Sequence, residues 1–260
     1  FDILRSLREQ GVTIILITHK LKEIMSITDT VSVMRGGKVV ADFSTEKTSP
    51  EELAENMVGR KVLLSIKKPI LKVGKPVLEV KNVSHESKDG VLVLKNISFD
   101  LKEGEILGIA GVAGNGQSEL LDILSGIETL QRGQITVNDK TILPFQDWNS
   151  KKAREFGVAH VPEDRHKRGL VLPFYNYENS ILGYHRNEDY SSGFLMDKRK
   201  ILNFVDDLVE NFDVRPRSSS ISSGKLSGGN QQKLVLAREI ESNPNILLVG
   251  QPTRGVDTVS

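Results

Sequence analysis

Four short apolar runs constrain the fold of this chain more than any other feature. Val12 to Ile17, Glu105 to Ala110, Gly157 to Val161 and Ile246 to Val249 are each of strand length and rich in valine, isoleucine, leucine or alanine. They are continuous rather than alternating, the pattern of strands covered on both faces, as in a parallel sheet. Segments with helical spacing lie between them. Strands alternating with helices predict an α/β domain around a mainly parallel sheet. The runs are far shorter than the ~20 residues needed to cross a bilayer.

The rest of the chain divides around these runs. Residues 1 to 10 carry apolar side chains at Phe1, Ile3, Leu4 and Leu7, a helical spacing stopped by Gly11. Val31 to Val40 reads as a hairpin turning at Gly36-Gly37. Ser49-Pro50-Glu51-Glu52 is a capping box with proline at the first helical position, so a helix is expected to run to Val58. Residues 60 to 76 are basic and irregular and read as a linker. Beyond it, Val77 to Val80 and Val91 to Leu101 read as strands. Ser118 to Leu124, Asn176 to Tyr184, Met196 to Phe212 and Gly228 to Glu241 read as helices. The expected divisions are therefore 1–59, 60–76 and 77–260. Both ends read as cut: the chain opens without Met inside a helical pattern, and it stops soon after a motif expected to lead into another helix.

Composition excludes several classes of function. The 35 basic and 34 acidic residues nearly cancel, so no global field draws the chain to nucleic acid or anionic lipid. With no cysteine there is no disulfide framework, thiolate metal site or thiol nucleophile. The N-terminal residues are amphipathic and lack the apolar core of a signal peptide. A soluble, cytoplasmic chain is expected.

Three motifs carry chemistry. Gly111-Val112-Ala113-Gly114-Asn115-Gly116-Gln117-Ser118 follows a predicted strand and opens a predicted helix, the context of a phosphate loop. Glycines let successive N–H groups turn towards phosphate oxygens, and the Ser118 hydroxyl is the candidate ligand for Mg²⁺. Gln117 stands where such loops carry lysine. It can donate a neutral hydrogen bond but cannot offset phosphate charge, and charge-assisted bonds are roughly twice as strong. The second motif, Leu226-Ser227-Gly228-Gly229-Asn230-Gln231-Gln232-Lys233, puts a serine and two glycines at a helix N-terminus, where unpaired N–H groups and the helix dipole favour an anion. The third is a strand ending on a single histidine, Leu16-Ile17-Thr18-His19. Taken singly, each has a bland reading: a glycine-rich turn, an ordinary helix start, a structural histidine.

Their combination resembles the ABC-type ATPases, in the Asn-Gln-Gln variant of bacterial sugar and nucleoside importers. The resemblance covers nearly the whole chain. It implies a P-loop core, an antiparallel β subdomain and a helical signature subdomain, here as an incomplete domain. It also implies ATP and Mg²⁺ as cofactors, bound through Gly111, Gly114, Asn115, Gly116, Gln117 and Ser118. Glu163, in Pro162-Glu163-Asp164-Arg165, falls in the Q-loop region, and the Glu-Asp-Arg form is similar to the second half of tandem sugar-type ATPases. Ile246 to Val249 would in that family lead to an aspartate for Mg²⁺ and a glutamate that polarises water. Gly250 and Gln251 stand there instead, followed by a D-loop-like segment reaching Asp257. His19 resembles the H-loop histidine, but it precedes the phosphate loop.

The resemblance therefore implies the end of a first ATPase half joined to most of a second. Ser227, Gly228 and Gly229 would be lent, with His19 as the catalytic residue, to the site of the first half, while Gln117, Gly250 and Gln251 mark a degenerate site. Hydrolysis by this chain alone is expected to be negligible, because the electrostatic groups that dominate phosphoryl transfer are missing. The implied partners are membrane permease subunits, another ATPase half or second copy and, indirectly, an extracellular solute-binding protein, with no nucleic acid. The implied location is the cytoplasmic face of the membrane. Two alternatives stay open: a nucleotide-sensing module without chemistry, and a soluble ABC protein of repair or translation. The phosphate loop and the Gln-Pro-Thr-Arg-Gly-Val-Asp string look most like the nucleoside-importer branch, with ribose- or galactose-type importers as neighbours.

Overall fold

The computed structural model describes residues 1–59, 61, 73–112, 114–192 and 195–253. They fall into two compact units, one within residues 1–69 and one within residues 70–255.

The first unit begins with helix α1 (Asp2–Glu9), followed by α2 (Leu21–Ile27). Strands β1 (Thr30–Arg35) and β2 (Lys38–Ser44) form an antiparallel hairpin in which Thr30 pairs with Ser44 and Arg35 with Lys38. Gly36 and Gly37 both have positive φ, 58° and 75°, which matches the twist a two-residue hairpin turn requires. Helix α3 (Pro50–Val58) starts as expected: Ser49 Oγ accepts from Glu52 N at 3.2 Å. Ile24, Val33 and Leu53 make its small core.

The expectation of a buried strand at Val12–Ile17 is not met. The segment has no strand pairing, and Ile15 and Ile17 are 89% and 93% exposed. A continuous apolar run encodes a strand only where neighbours supply a hydrogen-bond ladder and cover both faces. No such neighbour pairs with this run among the described residues. Glu105–Ala110 departs from its predicted strand for the same reason: it too is unpaired, with Ile106 95% exposed.

In the second unit, β3 (Pro76–Glu86), β4 (Leu92–Lys102), β5 (Arg132–Val137) and β6 (Lys140–Ile142) form an antiparallel sheet in the order β4-β3-β5-β6. Helix α4 (Gln117–Leu124) follows the phosphate loop, and α5 (Ser150–Glu155) precedes strand β7 (Val158–Val161). Then come α6 (Asn176–Ser180), a short ribbon of β8 (Ser191–Ser192) with β9 (Leu195–Met196), α7 (Lys198–Asn211), α8 (Gly228–Glu241) and β10 (Ile246–Val249). Helix α6 is shorter than the predicted Asn176–Tyr184.

β10 pairs with β7 in parallel, Ile246 beside Val158 and Val249 beside Val161. Two cores result. One joins the antiparallel sheet to α4, α5, β7 and β10, and includes Val80, Val83, Ile123, Leu130 and Ile135. Trp148 lies in it, with Nε1 donating to Ile123 O at 2.8 Å. The other gathers Ile201, Val205, Leu208, Leu234 and Val235 of α7 and α8 around Val161 and Leu170. No described helix is long and apolar enough to cross a membrane.

Candidate functional site

The ends of β7 and β10 and the loop before α4 meet at one place. At the loop, Gly116 caps α4 with φ of 94°. A Cβ there would stand 2.9 Å from Val93 O and 2.7 Å from Leu94 Cδ2, so only glycine fits both the backbone angle and the space. Gly114, with φ of 89°, has nothing within 4 Å of its would-be side chain. Asn115 N donates to Val112 O at 3.2 Å, closing the turn. The first-turn N–H groups of α4 have no partner within the helix, which leaves donors available to an anion.

Gln117 folds back over this loop. Its Nε2 donates to Val112 O at 3.3 Å, and a side chain on Gly111 would overlap the same amide. Ser118 Oγ donates to Glu163 Oε2 at 2.6 Å, an O–H···O⁻ length typical of a charge-assisted bond. Glu163 is placed by β7, which ends two residues earlier. Gly250 follows β10 directly, its N donating to Val161 O at 2.9 Å. Gln251 comes next, exposed and with φ of 46°.

Gly111, Gly114, Asn115, Gly116, Gln117, Ser118, Glu163 and Gln251 therefore lie on three segments whose ends converge. These residues fit a phosphate oxyanion, with open space at Gly114 and free first-turn donors. For Mg²⁺ the oxygens in mutual contact are the Ser118 hydroxyl and the Glu163 carboxylate, both hard donors of the kind that ion takes. Asp257 lies outside the described residues.

The second predicted element is built on α8. Ser227 is its N-cap, with Oγ accepting from Asn230 N at 3.4 Å and from Asn230 Nδ2 at 2.8 Å. Asn230 Oδ1 accepts in turn from Arg215 N at 2.7 Å. Leu226 is buried just before the cap, while Ser227 is exposed and Gly228 and Gly229 are half-buried. The cap thus presents its glycine N–H groups on an anchored helix start.

The segment after Glu163 ties to this helix. Asp164 caps a single π-turn over Arg165–Gly169, accepting from His166 N at 3.0 Å and Lys167 N at 3.1 Å. His166 Nε2 donates to Gln231 Oε1 at 2.7 Å, and Gln231 Nε2 donates to Ser223 O at 3.1 Å. Deeper along α8, Arg238 and Glu239 form a buried ion pair at 2.8 Å. Arg238 also donates to Gly169 O and Asn179 O, and Glu239 accepts from Tyr184 Oη at 2.6 Å. Burial, then the Glu239 charge, raises the Tyr184 phenol above its ordinary value. Residue-type reasoning missed Gln231, Arg238 and Glu239 as fixtures of this helix. The available signal is charge and amide on a helix whose inward positions also include Leu234, Val235 and Ala237.

His19, in the first unit, sits exposed at a bend. Beside it Thr18 Oγ1 donates to Glu23 Oε2 at 2.8 Å, and that bond, with one from Lys20, holds the Glu23 carboxyl below its usual range.

Residues 94–254 match the ABC transporter family. The chain is 40% identical over 262 residues to a glucose import ATP-binding protein of Haloferax volcanii, covering 99% of this chain and 46% of that protein. It is 41% identical over 256 residues to a nucleoside import ATP-binding protein of Lactococcus lactis subsp. cremoris (98% and 50%), and 37% identical over 257 residues to a ribose import ATP-binding protein of Clostridium tetani (99% and 49%). The chain thus spans about half the length of the curated relatives it matches. Among solved structures, a nucleotide-free ATP-binding cassette from an ABC transporter superposes with a TM-score of 0.57 at 17% identity, covering 70% of this chain and 71% of that one. A dimeric bacterial ABC transporter cassette gives 0.56 at 24%, covering 70% and 76%. The family match over residues 94–254, the relatives and the shared fold lead to one conclusion: this chain belongs to the ABC transporter family.

Proposed function

We propose that the chain is part of an ATP-binding subunit that energises solute import through a membrane permease. In this reading residues 1–59 end a first ATPase half, 60–76 link, and 77–260 form most of a second. The subunit sits on the cytoplasmic face of the membrane and works with permease subunits, another ATPase half and, indirectly, an extracellular solute-binding protein. The sugar and nucleoside import names of relatives that cover nearly all of this chain support it.

The observation that carries the finer assignment is the contrast between two helix starts. At α8 the Ser227 cap is intact and its glycines are presented on a firmly packed helix. At α4 the side chain that stands where such loops carry lysine, Gln117, is neutral and turned back onto Val112 O. The local phosphate site binds weakly and does little chemistry, and the signature serves a neighbouring site. Mg²⁺, when bound, would offset phosphate charge; Ser118 and Glu163 are the residues that would hold it. Gln251 cannot accept a proton from water, since an amide is not a base at neutral pH.

Nucleotide titration of the purified chain, followed by a hydrolysis assay, tests this. We expect weak, measurable ATP binding, negligible turnover, and tighter binding by at least about tenfold in Gln117→Lys, because the new bond is charge-assisted. Turnover by the unaltered chain above that of a Ser118→Ala variant would refute the degenerate-site reading. Failure of both proteins to bind ATP would refute the phosphate-loop assignment itself.

A further inference from the structure

We propose that the second unit carries a binding site for a small molecule bearing an oxyanion, a carboxylate or phosphate group, in a cavity separate from the phosphate loop. The cavity, of about 280 Å³, lies where the end of α4, helix α5, strand β7 and helix α8 come together. Its wall includes Ser125, Ser150, Arg154, His160, Arg168 and Arg238. Helix α4 separates it from the loop: Gln117 opens that helix and Ser125 closes it, about 12 Å away at 1.5 Å per residue.

Charge decides what the cavity can hold. Three arginines line it, and no aspartate or glutamate does. Two of these charges are offset by carboxylates that do not line the cavity, Arg168 by Asp122 and Arg238 by Glu239. The third is not. Among the described residues Arg154 has no carboxylate partner, and no protein acceptor takes its guanidinium N–H groups. The guanidinium lies instead over the Tyr184 ring, 5.1 Å from the centroid, and against Gly183, where an added Cβ would stand 2.7 Å from Arg154 Cζ. A half-buried guanidinium held this way keeps its fork of donors open in one orientation. That fork matches the paired oxygens of a carboxylate or phosphate.

The rest of the wall suits the same ligand. Arg238 uses Nε on Glu239 Oε1 and Nη1 on two carbonyls, which leaves Nη2 without a protein acceptor among the described residues. Burial above all holds the His160 imidazole below its ordinary value, so near neutral pH it offers an N–H rather than a second uncompensated charge. Competing acceptors are few. At the end of α4 the carbonyls of Leu121, Asp122 and Ile123 already accept from Ser125 N, Ile127 N, Gly126 N and the Trp148 indole. A bound anion supplies the negative partner that Arg154 lacks, in a recess where a low local dielectric strengthens the pairing.

The test follows the His160 ring C–H resonances by proton NMR, identified by their loss in His160→Gln. Inorganic phosphate or, separately, succinate is titrated onto the purified chain at an ionic strength held constant with chloride. We expect a saturable shift with both anions, half-complete on the order of 1 mM. In Arg154→Gln the half-point should rise at least about tenfold, because a charge-assisted fork is lost, while the melting temperature stays within about 4 °C of the parent. A half-point unchanged in folded Arg154→Gln would overturn the site. So would a shift with phosphate and none with succinate, which places the ion at the phosphate loop instead. Drift without saturation would overturn it too, and that outcome requires no variant to fold.

Discussion

Removing Arg238 should destabilise the second unit more than any surface substitution. Arg238 and its partner Glu239 are 5% and 0% exposed. Arg238 makes three bonds: Nε to Glu239 Oε1 at 2.8 Å, and Nη1 to Gly169 O at 2.8 Å and Asn179 O at 3.1 Å. In Arg238→Met the apolar stem is replaced, but two carbonyls lose a donor and Glu239 becomes a buried charge. Tyr184 Oη remains on Glu239 at 2.6 Å, and the His160 amide at 3.4 Å, too little to offset a full charge. Breaking a buried pair on one side costs about 3–5 kcal/mol. At 2–4 °C per kcal/mol for a unit of this size, the melting temperature should fall by roughly 6–20 °C. Arg238→Met combined with Glu239→Gln removes the stranded charge while keeping an acceptor for Tyr184, and should recover about half of the loss. Urea unfolding followed by tryptophan fluorescence reports on this unit, since Trp148 lies in its core. If Arg238→Met stays within about 1 kcal/mol of the parent, or if the double variant is the less stable of the two, the account of this pair is wrong.

Two further outcomes are expected. Burial is the main cause that holds the His160 imidazole below its ordinary value; Glu239 opposes the shift and Arg154 adds to it. The unfolded chain therefore takes up a proton near pH 6.5 while the folded chain resists, so stability should drop as pH falls below about 6.5 through the lower folded value. His160→Gln should flatten the dependence of the urea midpoint between pH 8 and 5.5, and an unchanged slope would speak against His160 as the titrating group. Ser227→Ala removes the acceptor of Asn230 N and Nδ2 and should cost about 1 kcal/mol, with faster hydrogen exchange at the Asn230 amide. Unaltered exchange there would show that the cap does not hold the first turn of α8.

Much of the fold was legible because its signals are local. Ser49 with Pro50 starts α3, Gly36-Gly37 turns the first hairpin, and Ser227 with two glycines starts α8 at the expected residue. A cap, a positive φ or a helix-forming run acts within a few residues, so the chain carries the instruction in place. Ile246–Val249 and the β7 run were equally plain, since each finds its neighbour in the other. Strands β5 and β6 and helix α5 carry no such local signal, because Arg132-Gly133-Gln134 and Ser150-Lys151-Lys152 show neither a continuous apolar run nor a clean period.

What the sequence determined alone is the set of chemical parts and their family: a glycine-rich loop with Gln117 before Ser118, a serine with two glycines at a helix start, and strand-length runs in an α/β order. What only the tertiary structure decided is which parts meet. Val12–Ile17 and Glu105–Ala110 have the composition of buried strands yet stay unpaired, because a strand is completed by hydrogen bonds from another segment and not by its own residues. Ser118, Glu163 and Gly250 are separated by 45 and 87 positions, and their junction exists because β7 and β10 pair in parallel at the loop before α4. Two residues competing for one volume leave no trace in either local sequence. Close packing sets Gly250 against Glu163, where an added Cβ would lie 2.5 Å from Glu163 Cγ.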